Sequence, residues 1–189
     1  MNSINTVTLS HHWIQEHVKA GDFCIDGTAG KGNDTAFLCE AVGPTGRVIA
    51  FDILEEAVQY TRFRLVERCL DSIGTVICDS HSHMDRYAEP DTVDCIVFNF
   101  GYFPGGDRSK FTLADTSVEA ITKGLTLLKK DGIMCLSVYY GGLNGLGERD
   151  AIFACLKALN PKQFTVIMCE FYNRTGNPAY PVYIKKGSY

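Results

Sequence analysis

The chain has eight cysteines but no C-x-x-C pair. Positions 24, 39, 69, 78, 95, 135, 155 and 169 fall mostly inside apolar strands or helix faces. Cysteine reads there as a small hydrophobe in a reducing compartment, which excludes a disulfide framework. Metal-ligand spacing is lacking too. In Cys78-Asp79-Ser80-His81-Ser82-His83-Met84-Asp85 the histidines stand at i and i+2, whereas a helix presents ligands at i and i+4, and no distant partner cluster is evident. No metal is expected. The longest uncharged stretch, Gly132 to Gly147, is broken by glycines, and no basic run precedes an apolar one near the N-terminus. That excludes a membrane span and predicts a soluble, cytoplasmic protein. Positive charge is not in excess either: 18 Lys and Arg against 22 Asp and Glu leave a net charge of −4. A broad nucleic-acid footprint built on phosphate contacts is disfavoured, while a local basic rim around a pocket is not. Repeats, linkers and low-complexity tracts are absent, so residues 1–189 are expected to form one domain.

What is present is an alternation. Apolar runs predict strands near 23–26, 47–52, 74–78, 93–99, 132–139, 164–171 and 181–184, with periodic segments between them. Leu54, Ala57, Val58, Thr61 and Leu65 recur at helical spacing, as do Val118, Ile121, Leu125 and Leu128. Thr116 and Glu119 form a capping-box pattern that starts the latter helix near Ser117. Lys129, Lys130 and Gly132 read as its end. Ile152, Cys155, Leu156 and Leu159 make a further face, stopped by Asn160-Pro161. Ser10 reads as the cap of a short helix carrying Trp13, Ile14 and Val18. Strands alternating with helices predict a Rossmann-like α/β fold, a mostly parallel sheet with helices on both faces. The last two strands are separated by too short a connection for a parallel crossover and should be antiparallel neighbours.

The most informative stretch is Phe23-Cys24-Ile25-Asp26-Gly27-Thr28-Ala29-Gly30-Lys31-Gly32-Asn33-Asp34. A strand ending in Asp26 runs into a glycine turn and then a helix from Asn33, where backbone can approach a ligand closely. A second apolar run ends in Asp52, an acid suited to a ribose diol, with Ile53 beside it. Phosphate-binding loops need Gly-Lys-Ser/Thr, and here Lys31 is followed by Gly32. Dinucleotide sites space their glycines G-x-G-x-x-G, and here the order is G-x-x-G-x-G. An acid before the turn suits the ammonium and sulfonium side of S-adenosylmethionine better than a pyrophosphate. In the loop after the third strand, Asp79 and His81 are placed to line an adenine.

The fourth strand ends at Asn99 and continues as Phe100-Gly101-Tyr102-Phe103-Pro104-Gly105-Gly106-Asp107. Ligands in open α/β sheets bind beyond the carboxyl ends of the strands. Asn99 is therefore expected to hold an amine in line with the donor methyl, Tyr102 to stack on or bracket a planar base, and Asp107 to accept a proton or fix the turn. The Asn-x-Gly-Tyr pattern resembles the Asn/Asp-Pro-Pro-Tyr loop of methyltransferases acting on nucleobase amines.

Taken together, Asp26 to Thr35, Asp52, Asp79-Ser80-His81, Asn99 to Asp107 and Tyr139-Tyr140-Gly141-Gly142 resemble a bacterial family long labelled putative rRNA methylase. Its assigned members, of the MnmM or YtqB-like type, are tRNA methyltransferases. The resemblance covers residues 5–186. It implies a class I methyltransferase with a seven-stranded sheet and an antiparallel terminal strand. It implies methyl transfer from S-adenosylmethionine to the 5-aminomethyl group of 5-aminomethyl-2-thiouridine at the tRNA wobble position, in the anticodon region. It also implies cofactor contacts from His11, Asp26, Thr28, Gly30, Asn33, Asp34, Asp52, Ile53, Asp79, His81 and Asn99. On the RNA side the candidates are Arg108 and Lys110, which directly follow the acceptor loop and suit phosphate, with Tyr139, Tyr140, Asn173 and Arg174. The family's C-terminal Asn-Gln-x-Asn-x-Pro-Pro segment is altered here to Asn173-Arg174-Thr175-Gly176-Asn177-Pro178-Ala179, and Arg174, a cation, is suited to phosphate instead. The residues by themselves leave open rRNA or a small amine as acceptor, a non-catalytic cofactor module, and the oligomeric state, a homodimer included.

Overall fold

The computed structural model describes residues 4–101, 112–141 and 145–187. Tyr102, Asp107, Arg108 and Lys110 lie outside the described residues. In chain order the elements are α1 (Thr6–His17), β1 (Phe23–Asp26), α2 (Asn33–Val42), β2 (Arg47–Asp52), α3 (Glu55–Glu67), β3 (Gly74–Cys78), a 3-10 turn (His81–Arg86), β4 (Val93–Phe100), α4 (Ala114–Leu127), β5 (Leu128–Val138), α5 (Gly145–Lys157), β6 (Phe164–Met168) and β7 (Tyr180–Lys186).

The strands form one sheet in the order β3-β2-β1-β4-β5-β7-β6. The first five are parallel, whereas β7 runs antiparallel between β5 and β6. This is the Rossmann-like methyltransferase arrangement expected from the alternation. One apolar layer, with Phe98, Phe100, Ile121, Leu125 and Ile152, lies under α4 and α5. The other, with Ile14, Leu38, Val58 and Leu65, lies under α1, α2 and α3. Four of the cysteines, Cys24, Cys39, Cys95 and Cys135, are buried free thiols, as their apolar settings predicted. Among the described residues, no helix is long and apolar enough to cross a membrane.

Three local expectations are corrected. α1 is capped by Asn5, whose side chain and backbone exchange bonds with Thr8, and Ser10 lies buried within the helix. α4 begins at Ala114 rather than near Ser117, because the Thr116 hydroxyl turns back to the Leu113 carbonyl at 3.1 Å instead of capping. At the other end α4 stops at Leu127, and Lys129 and Lys130 already belong to β5. The cation there is Lys186 of β7, whose Nζ donates to the carbonyls of Leu125 and Leu128 at 3.1 and 2.6 Å. A lysine distant in sequence thus answers the negative end of the helix.

Candidate active site

The carboxyl ends of β1, β2 and β4 converge beside the first turn of α2. Asp26 ends β1, fully buried, and its oxygens accept from Thr28 N at 3.0 Å and Thr35 Oγ1 at 2.6 Å. Its first task is therefore to shape the glycine turn, rather than to stand as an open partner for an ammonium. Burial, reinforced by the nearby Asp34 charge, pushes its carboxyl up to about 7. Folding thus favours the protonated form, so this contribution to stability is full below the ordinary carboxylate range and is lost as pH rises toward 7. Asp26→Asn keeps the shape without the charge. Urea denaturation should find it no less stable than wild type at pH 8, with a flatter pH dependence between 4 and 7. An unchanged pH profile would remove Asp26 as its source.

The turn itself has little donor capacity left to offer an anion. Gly27 N donates to Val97 O, Ala29 N to Phe51 O, Gly32 N to Ala29 O and Gly30 N to Asp52 Oδ2, at 2.7 to 2.9 Å. The glycines allow the close approach expected of the turn, while the hydrogen bonds of these amides stay inside the protein. A pyrophosphate needs a nest of open N–H groups. A strand-tip carboxylate, Asp52, beside a turn whose amides are bonded within the protein suits a phosphate-free nucleoside, which is the chemistry of S-adenosylmethionine. Gly32, at φ +73°, stands against Thr61 of α3, whose hydroxyl reaches Gly30 O at 3.2 Å.

Asp52 ends β2. It accepts from Gly30 N and Leu54 N at 2.9 and 3.0 Å, one bond per oxygen, so each oxygen keeps a lone pair for a ribose hydroxyl. Burial raises its pKa. Ile53 beside it is 61% exposed, an apolar face at the strand tip. Asp79 accepts from His83 Nδ1 at 2.7 Å and Tyr87 OH at 3.0 Å, and the His83 bond holds its pKa down. His81 is buried edge-on to Phe98 and Phe100, held by the Gly27 backbone, and burial lowers it to about 4, so it is a neutral imidazole at physiological pH. Among the described residues, no group of three His, Cys, Asp or Glu side chains is arranged to hold a metal.

Asn99 completes the site at the tip of β4. Its backbone N donates to Thr28 Oγ1 at 2.7 Å, tying the strand tip to the glycine turn. Its side-chain Nδ2 donates to Asp34 Oδ2 at 2.6 Å, and Asp34 Oδ1 pairs with His11 Nε2 at 2.6 Å. The His11 ring stacks on Phe37 at 3.7 Å between centroids. Gly101 N donates to Thr112 Oγ1 at 2.9 Å and Thr112 N to Gly101 O at 2.9 Å, so β4 and the start of the chain leading into α4 are stitched together. Thr35, Thr61, Phe37 and Thr112 were not picked out as site residues from sequence. Thr61 was visible only as one member of a core stripe.

Other expected residues stand differently. Asn33 is exposed and accepts from Arg64 of α3. Arg64 is thereby tied to α2, as Arg68 is through Glu40. Tyr139 adjoins Gly101, and its N donates to Phe100 O at 3.3 Å. Tyr140 stacks on Tyr180 at 5.2 Å with the Arg149 guanidinium over its ring, so it is packed rather than open to a base. Asn173 and Arg174 are exposed between β6 and β7, the Arg174 guanidinium lying 4.2 Å from the Phe171 ring centre.

Solved structures share this fold throughout. A crystal structure of a putative rRNA-methylase from Clostridium thermocellum is 38% identical, covers 98% of this chain and all of its own, and superposes with a TM-score of 0.95. A putative methyltransferase from Streptococcus mutans, in complex with SAH, is 32% identical over 97% of this chain and 99% of its own, with a TM-score of 0.87. Fold and site together define a Rossmann-like, S-adenosylmethionine-dependent methyltransferase. The chain belongs to the family described as putative rRNA methylase, whose model matches residues 48–185. An Arabidopsis thaliana protein named chloroplastic tRNA (mnm(5)s(2)U34)-methyltransferase is 30% identical over 93% of this chain, which spans 66% of that relative's length.

Proposed function

We propose that the chain methylates the 5-aminomethyl nitrogen of the wobble uridine in tRNA. The observation that carries this reading is the amide at the tip of β4. With Nδ2 given to Asp34, Asn99 retains Oδ1 as its acceptor, the atom an amine N–H requires. The similarity to the Arabidopsis protein supports tRNA as the macromolecule and the wobble amine as the group.

S-adenosylmethionine, when bound, supplies a methyl on a sulfonium, and the departing fragment is a neutral thioether. The chain's part is to bind, orient and exclude water. Asp52 would take the ribose diol, Ile53 would offer an apolar face to the adenine, and Asp79 would be the partner for its exocyclic amine. Asn99 Oδ1 accepts one hydrogen of the neutral amine and aims the nitrogen lone pair at the methyl carbon, which is the positioning a displacement needs. The product amine then loses its extra proton, with Asp107 as the candidate acceptor. Exposed Arg174 is one candidate cation for tRNA phosphate in a chain that is acidic overall, with Arg108 and Lys110 the candidates outside the described residues.

The assay offers tRNA bearing 5-aminomethyluridine derivatives and follows the methylaminomethyl nucleoside by mass spectrometry. Conversion dependent on S-adenosylmethionine is expected. Methylation of ribosomal RNA or of a free amine, with none of this tRNA, would overturn the tRNA assignment and leave the methyltransferase class in place.

A further inference from the structure

Sequence placed His11 and Asp34 on the donor side of the site; the geometry points elsewhere. We infer that Asp34 is a positioning residue for Asn99, held in turn by His11, and that this chain restricts the acceptor to a group bearing a hydrogen. The inference rests on the methyl-transfer reading of the site.

A primary amide presents two chemically different ends of nearly the same shape, and an unconstrained one can turn either way. An ionised carboxylate can only accept, so an amide bonded to it must offer NH2. Asp34 Oδ2 lies 2.6 Å from Asn99 Nδ2, a short charge-assisted bond. The other oxygen, Oδ1, is held at 2.6 Å by His11 Nε2. The carboxylate is also set by its place in the first turn of α2, and His11 by its stack on Phe37 of the same helix. Because Asn99 N is pinned separately to Thr28, both the backbone and the amide plane of Asn99 are determined by the turn and α2. The end left for the acceptor is Oδ1. An N–H or O–H satisfies it, whereas a carbonyl or an unprotonated ring nitrogen would set lone pair against lone pair. α1 thereby has a part in the acceptor side of the site, through one histidine.

The test is an exchange of partners. Asp34→Ala should lower kcat by about 30-fold or more while donor affinity, measured calorimetrically with S-adenosylhomocysteine, stays within about threefold, because orientation and not donor contact is lost. Asn99→Asp alone sets two carboxylates against each other and should lose at least as much. Adding Asp34→Asn restores a donor opposite an acceptor and should recover about 10-fold over Asn99→Asp, a coupling that independent sites do not produce. A second readout needs no turnover. The Asn99 side-chain NH2 signals in an ¹⁵N-labelled protein, assigned by their absence in Asn99→Ala, should be widely separated in wild type and collapse together in Asp34→Ala. Donor affinity falling as far as kcat, a double variant no better than Asn99→Asp, or unchanged NH2 signals in Asp34→Ala would each overturn the role. If wild type methylates no tRNA, the substrate reading fails, and the NH2 signals and donor affinities still decide for or against Asp34.

Discussion

Asn99→Ala should abolish most turnover while sparing the donor. The side chain removed is the one whose oxygen meets the reacting amine, and misplacement of a nucleophile by roughly 1 Å costs about 100-fold in rate. Loss of an acceptor used as charge develops on nitrogen adds to that, so a fall in kcat of ~10²- to 10³-fold is expected. The fold should tolerate the change. Asn99 is only partly buried, its strand remains paired to β1 and β5 on either side, and the backbone bond from its N to Thr28 is untouched. Calorimetry with S-adenosylhomocysteine should therefore give a Kd close to wild type. A variant that methylates at the wild-type rate would show that the amine is held elsewhere, and a variant that no longer binds donor would move Asn99 to the cofactor side.

Gly27→Ala should be the most damaging single methyl group in the described part of the site. A Cβ at Gly27 would stand 2.2 Å from Cε1 and 2.4 Å from Cδ1 of Phe98. Phe98 cannot yield readily, because it is fully buried, stacked on Phe100 at 4.9 Å and faced by His81. Overpacking of this kind costs about 2–3 kcal/mol. Relief requires the turn to move, and the turn carries the bonds from Gly27 N to Val97 and from Gly30 N to Asp52. Donor binding should fall together with the urea midpoint. Gly147→Ala is the matched control: it lies exposed in α5 with nothing within 4 Å of an added Cβ, so helix propensity should leave stability unchanged or slightly raised. Equal midpoints for Gly27→Ala and wild type would mean that Phe98 has room that its packing denies.

Much of the frame is written locally. The first three parallel strands begin and end where their apolar runs do, most completely in β1, which is buried along its whole length and so is apolar up to its closing Asp26. The buried positions of α3, Ala57, Val58, Thr61 and Leu65, are those of the helical period. The short connection before β7 determined the antiparallel pairing, since a parallel crossover cannot be made in so few residues. The residue types of the site were legible on the same grounds: an acid at two strand tips, an amide at a third, and glycines at the turn.

Partnership was not legible. Asp26 was expected to meet a ligand and is instead fully buried, bonded to Thr28 and Thr35, and the turn amides are bonded to β2, β4 and the turn itself. The cation at the end of α4 comes from the last strand, and the amide that orients the acceptor takes its direction from a carboxylate 65 residues earlier. Periodicity and spacing report which face of an element is buried and where the chain turns, because those follow from the geometry of a few neighbouring residues. Which oxygen meets which hydrogen depends on elements brought together across the sheet. For this protein the sequence by itself determined a methyltransferase-like sheet and the kinds of groups at its strand tips. Only the tertiary structure decided that Asn99 is aimed by Asp34 and His11, since a carboxylate becomes an amide's partner only once folding brings the two within hydrogen-bond reach.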